Sequence, residues 1–211
     1  MKRIFVIIIS LFAILNLSKA DEKGYLQSAY DAMNSGEFES AVVFYDKAIE
    51  SKDDYAPAWY GRGLAYSHMG KVKESIENFS KAVYLDNNMA DAHYALGLSY
   101  IQDGNYTEAV NSLGKAIELD KTKPDYFYAR GNAYKLSSQN DNALVDFSKA
   151  IDLNPNYGLA YYARGAVHKM GGRGDASLRD LEKYLELNGN KDGLESEVNR
   201  LIQEIREGRV N

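Results

Sequence analysis

The four residues Tyr128-Ala129-Arg130-Gly131 return 34 positions later as Tyr162-Ala163-Arg164-Gly165. A ring, a cation and a glycine this close together could hold an anion, touch a nucleic acid or form a turn. The charge balance weighs against phosphate as the target. The chain of 211 residues carries 25 Lys+Arg against 30 Asp+Glu, a net charge of −5. Nucleic-acid affinity rests mostly on Lys and Arg neutralising phosphates, so no nucleic-acid partner is expected. Other reactive groups are sparse. His68, His93 and His168 are scattered, and no two have metal-ligand spacing. The lack of any cysteine removes thiol nucleophiles, thiolate metal sites and disulfides. No serine nucleophile motif, phosphate loop or acid–base carboxylate pair stands out. The expectation is a non-enzymatic chain with no metal and no cofactor.

The spacing of 34 is general. Gly63, Gly97, Gly131 and Gly165 share it, as do Lys47, Lys81, Lys115, Lys149 and Lys183. Ala48, Ala82, Ala116 and Ala150 form another column, in which Tyr184 comes next. A fixed period of this length marks a repeat architecture. Framed from Glu22, the chain divides into repeats 22–55, 56–89, 90–123, 124–157 and 158–191. Within 56–89, Trp59, Gly63 and Tyr66 share one helical face, and Gly70 ends that helix. Ile76, Phe79, Ala82 and Val83 mark a second helix, which Asp86-Asn87-Asn88 breaks. Pro57 and Pro124 sit near the starts of first helices, where a missing amide donor costs little. Residues 192–211 lie outside the frame. Leu194, Val198, Leu201, Ile202 and Ile205 give them one apolar stripe, as expected of a capping helix. A partner-binding amphipathic helix is the alternative.

The segment AWYGRGLAY, followed by MGKVKESIENFSKAVYLD, resembles the tetratricopeptide repeat, and the resemblance runs over 22–191. It is looser at the ends. Ala29 and Ala32 replace the glycine and tyrosine of the first repeat. His168, Ser177 and Tyr184 depart in the fifth, whose turn is Gly171-Gly172-Arg173-Gly174. The resemblance implies an all-α fold, a right-handed α-α superhelix (solenoid) of five helix-turn-helix repeats with a C-terminal capping helix. It also implies a protein or peptide partner.

Within this frame the four-residue motif separates into parts. The glycine falls mid-helix, where it costs about 1 kcal/mol relative to alanine, which close helix packing can offset. Arg62, Arg130 and Arg164 share a column, and sixteen residues on stand Asn78, Asp146 and Asp180. Where Leu96 replaces the arginine, Ser112 follows. The covariation predicts Arg130–Asp146 and Arg164–Asp180 pairs between the two helices of a repeat. Tyr60, Tyr94, Tyr128 and Tyr162 form a column about 100° from the core stripe. Leu64, Leu98 and Asn132 follow one turn on, and Lys135 and Lys169 a turn further.

The resemblance places that face in a concave groove. The tyrosines would anchor an extended peptide or partner helix there, with Leu64, Leu98, Asn132 and Lys135 supplying specificity. Rings packed against neighbouring helices, glycan binding by the tyrosine ladder, and a structural role in an envelope assembly are the alternatives. Some family members grip a terminal carboxylate with groove lysines. Here tyrosines stand where those lysines are needed, and only Asn132 and Lys135 hint at such a grip.

The N-terminus, MKRIFVIIISLFAILNLSKA, places Lys2 and Arg3 before a 14-residue run, Ile4 to Leu17. Ser18-Lys19-Ala20 follows as a cleavage site. This is the layout of a secretory signal peptide, expected over 1–20. The run is short of the roughly 20 residues that span a bilayer, so no membrane span is expected after cleavage, with an uncleaved anchor as the alternative. The expectation is export to a bacterial periplasm or beyond.

Overall fold

The computed structural model describes residues 23–189 and 193–208, so the expected leader lies outside the described residues. The fold is all-α, as expected. Helix α1 covers 23–34. It is followed by α2 (Phe38–Ser51), α3 (Ala56–His68), α4 (Val72–Leu85), α5 (Ala90–Gln102) and α6 (Tyr106–Leu119). Then come α7 (Pro124–Leu136), α8 (Asn140–Leu153), α9 (Gly158–Met170), α10 (Gly174–Asn188) and α11 (Glu195–Arg206). Ala56, Ala90, Pro124 and Gly158 open first helices at the period of the sequence. Phe38, Val72, Tyr106, Asn140 and Gly174 open second helices at the same period. The chain forms two compact units, Met1–Asp103 and Gly104–Asn211.

One backbone device sets the turn between the two helices of each repeat. Gly36, Gly70, Gly104 and Gly172 all have positive φ, between 69° and 80°. In the fourth repeat the position is Ser138, at φ 62°, a left-handed conformation that glycine adopts without a Cβ penalty. The amide three residues past the helix closes the turn. Lys71 N–H donates to the Tyr66 carbonyl at 2.9 Å, Gln139 N–H to Tyr134 at 2.8 Å and Arg173 N–H to His168 at 2.9 Å. These bonds satisfy carbonyls that a helix end would otherwise leave open.

The first and second helices of a repeat cross closely because a glycine lies under a ring or a leucine sixteen residues on. A Cβ at Gly63 would fall 2.7 Å from the Phe79 ring, and one at Gly131 2.7 Å from Phe147. At Gly165 the neighbour is Leu181, at 3.2 Å. Phe79, Phe147 and Leu181 are fully buried. The mid-helix glycines therefore make room for large apolar side chains. Phe147 also shares its cluster with Ala163 and Val167 of the next first helix, α9. Gly131→Ala should lower the denaturant-unfolding free energy by about 1–3 kcal/mol through overpacking. Gly165→Ala should cost less, because its neighbour stands farther off. Urea melts of both variants check the order.

Candidate functional site

The arginine column is tied down between helices. Arg130 Nε donates to Asp146 Oδ2 at 2.8 Å and its Nη2 to Oδ1 at 2.9 Å. Arg164 repeats the fork on Asp180, at 2.8 and 2.7 Å. Arg62 Nε donates to Asn78 Oδ1 at 2.7 Å. The pairing expected from covariation is present in both repeats that carry the carboxylate. Asp146 and Asp180 are buried, while their arginines are partly exposed. The hydrogen bonds to Asp146 and Asp180 raise the pKa of Arg130 and Arg164 against the opposing effect of burial.

A second set of contacts runs sixteen residues backwards. Arg62 Nη1 bonds and ion-pairs with Asp46, and Arg164 Nη1 donates to Ser148 Oγ at 3.0 Å. Each of these arginines thus joins three helices. The forward offset was visible in the sequence. The backward one follows the same number, but its positions, Asp46, Gly114 and Ser148, share no residue type and were missed.

The tyrosine column lies half-buried on the first helices. In the first compact unit, Tyr60 tilts over Phe79 at 5.8 Å between centroids. Burial and the nearby charge of Asp91 raise its pKa. Leu64 packs at the edge of the same cluster. Tyr94 is half-buried and Leu98 is exposed. In the second unit Tyr128 tilts over Phe147 at 5.9 Å and against Tyr157 at 5.1 Å. Tyr60 and Tyr128 thus each give one face to their own repeat, and the alternative of packed rings holds for part of the surface of these two. Asn132 and Lys135 are half-buried beside Tyr128 on α7. Desolvation lowers the pKa of Lys135, and no carboxylate among the described residues pairs with it.

The stripe ends differently at α9. Tyr162 donates to Glu197 Oε1 of α11 at 2.8 Å, and Lys169 Nζ lies 2.9 Å from Glu204 Oε2. The two pairs are seven residues apart on both helices. Helix α11 thereby occupies the place of another first helix, with glutamates where the stripe has Tyr and Lys. Its Val198, Ile202 and Ile205 pack on Leu181 and Tyr184, and Arg206 reaches Glu182 at 2.8 Å. The Tyr162 hydroxyl is therefore engaged within the chain. These glutamates carried no periodic signal, because the tail falls outside the repeat frame.

Among the described residues no group of His, Asp or Glu has the arrangement of a metal site. His93, which replaces the aromatic of its column, is buried with Nε2 3.2 Å from the Asn87 carbonyl. His168 lies 4.0 Å from Asp180, and burial lowers its pKa. No helix among the described residues is long and apolar enough to cross a membrane.

Comparison with known proteins bears on the same segments. Family models described as "TPR repeat" match residues 68–104 and 97–138, and one described as "Tetratricopeptide repeat" matches 124–157. An uncharacterised protein of Methanocaldococcus jannaschii, MJ0572, is 32% identical over 62 residues, covering 29% of this chain and 70% of that protein. The crystal structure of MamA superposes with a TM-score of 0.76 at 25% identity, covering 81% of this chain and 93% of that one. YrrB, described as "a TPR protein with an unusual peptide-binding site", superposes with a TM-score of 0.73 at 24% identity, covering 87% of this chain and 90% of its own.

Two predictions follow from these contacts. Arg130→Ala leaves the buried Asp146 carboxylate unpaired and should cost about 3–5 kcal/mol. The double variant Arg130→Leu/Asp146→Ser copies the Leu96 and Ser112 of the third repeat and should recover most of that loss in urea melts. The second prediction concerns Tyr162, whose pKa is pushed up to about 12 by burial and by Glu197. A folded pKa above the unfolded value of 10 stabilises the fold below pH 10, and the effect is lost as pH rises through about 12. The difference in phenolate absorbance between the wild type and Tyr162→Phe should show one tyrosine titrating near 12, and α11 should loosen over the same range.

Proposed function

We propose, on the premise that the chain belongs to the tetratricopeptide repeat family, that it is an exported, non-enzymatic interaction module that holds a protein segment along its first-helix stripe. The fold is one that serves protein–protein interaction. The observation that carries the finer reading is the contrast between Lys135 and Lys169, which share a column. Lys169 is neutralised by Glu204, whereas Lys135 is half-buried, desolvated and unpaired among the described residues. An unpaired, desolvated cation beside a half-buried tyrosine and an amide is matched by an acidic or carbonyl-rich segment of a partner. The ring of Tyr128 supplies rigid apolar area at low entropic cost, and the Asn132 amide can bond a passing peptide group. Tyr60, Leu64, Tyr94 and Leu98 give the first compact unit a more apolar stripe, suited to nonpolar side chains. The peptide-binding site named for YrrB lends support by analogy of fold alone.

Export is part of this proposal and rests on Lys2, Arg3, the apolar run Ile4 to Leu17 and the small residues Ser18 and Ala20. It places the partner in the periplasm or outside the cell. N-terminal sequencing of the protein recovered from its native host tests it: a start at or near Asp21 is expected, and retention of Met1 overturns it.

The binding face is tested with a photo-crosslinking residue in place of Asn132, against one in place of Glu50, which is exposed on α2. A discrete crosslinked protein is expected from Asn132 only. Lys135→Glu should remove it while changing the melting temperature little. Equal crosslinking from both positions, or persistence in Lys135→Glu, would exclude the stripe. Binding to purified cell-wall glycan that depends on Tyr128 would favour a sugar ligand instead.

A further inference from the structure

We infer that Arg130 and the space beside Gly114 form a second site, one for the carboxylate of an acidic side chain brought by a partner protein. It does not depend on the tyrosine stripe. Arg130 is two positions beyond Tyr128, about 200° around α7.

The three arginines of the column serve as controls for one another. Arg62 uses Nε on Asn78 and Nη1 on Asp46. Arg164 uses Nε and Nη2 on Asp180 and Nη1 on Ser148. Arg130 spends Nε and Nη2 on Asp146, and its Nη1 has no hydrogen-bond acceptor among the described residues. The position that supplies the acceptor elsewhere is Gly114, sixteen residues back on α6.

Packing does not explain this glycine. Gly63 and Gly131 lie under rings that a Cβ would strike. At Gly114 a Cβ would meet only Arg130 Nη1, at 3.7 Å, an ordinary contact. A mid-helix glycine without a packing role lowers helix stability. What it does here is leave one edge of a guanidinium uncovered.

The same guanidinium lines a cleft of about 590 Å³ with Phe127, Leu144, Val145, Ser148 and Lys149. Asp146 and Asp152 also line it. The Asp146 charge is engaged by Arg130 itself, while Asp152 opposes an incoming anion and Lys149 favours one. Phe127 is buried and Val145 is exposed, so the cleft has an apolar floor and an accessible apolar rim. The occupant follows from the second repeat, where the equivalent guanidinium edge is filled by the Asp46 carboxylate. An acidic side chain fits the Arg130 edge beside Gly114, and the same guanidinium borders the apolar Phe127 and Val145 of the cleft. Arg–carboxylate bonds of this kind are among the stronger in proteins.

Benzoate combines a carboxylate with an apolar face and is the probe, with benzamide as the neutral control. The full protein with ¹⁵N-labelled arginine is titrated at constant ionic strength while the guanidinium resonances are followed. A saturable shift is expected at Arg130, with Arg62 and Arg164 unchanged and no response to benzamide. Gly114→Asp supplies the carboxylate from within and should weaken benzoate binding at least about tenfold. Gly114→Ser, which supplies the acceptor of the fifth repeat, should do the same should the aspartate disturb folding. Equal response of all three arginines, no saturable response, or full binding by either folded variant would overturn the site. Stronger binding of inorganic phosphate than of benzoate would overturn its assignment to a carboxylate.

Discussion

The structure depends on how closely a first helix can approach the second helices on either side of it. That distance is fixed by one apolar side chain held between two small residues. Phe147 lies under Gly131 of its own repeat and clusters with Ala163 of the next. Phe79 likewise lies under Gly63 and clusters with Ala95. A Cβ at either glycine would enter the ring, so the backbone at this crossing is as near as a side chain permits. In the first repeat the large residue is Tyr45, and the small one beyond it becomes Gly61, whose Cβ would fall 2.3 Å from the tyrosine ring. The volume removed from one helix appears on the other, as close packing of an interior requires.

Every polar contact of the arginine column inherits that geometry. Because a first-helix residue meets positions sixteen ahead and sixteen behind, Gly131 meets Phe147 and its neighbour Arg130 meets Asp146. A guanidinium is planar and presents its donors in a fixed fork, so it can serve both directions at once. Arg62 and Arg164 do so. Apolar and polar layers then share one register. A slip of a single residue would unseat the ring and separate the ion pair together. The apolar layer supplies most of the driving force. The buried carboxylates are satisfied only in the correct register, which gives that layer its specificity.

Much of this was legible in the sequence, for a physical reason. Repeats stacked at one interval must reuse one set of contacts, so a column of glycines or a covarying Arg–Asp pair reports geometry directly. The turn at Gly36, Gly70, Gly104 and Gly172 is legible in the same way, and Ser138 shows that the position holds its left-handed backbone without glycine. The tyrosines were only half legible. Spacing gave their face, but the tilt of Tyr128 onto Phe147 and Tyr157 depends on residues of another helix and of the connector that closes the repeat. The role of Glu197 and Glu204 was not legible, because α11 has no counterpart from which a column could be drawn.

That last helix shows how an array can end without leaving its first-helix stripe open. An apolar cap alone would cover Leu181 and Tyr184 but leave the stripe of α9 continuous with that of α7. Glu197 and Glu204 prevent this by engaging Tyr162 and Lys169, the two polar groups of α9 that otherwise match those of α7. Among the described residues of this stripe in the second compact unit, Asn132, Lys135 and the outer face of Tyr128 then stay uncommitted. Charge and shape are thus concentrated on α7, although the column of tyrosines is uniform. Identical residues in a repeat protein differ in function by what the neighbouring helix does to them. A ligand-binding position is better sought where an expected partner is missing than where a residue recurs.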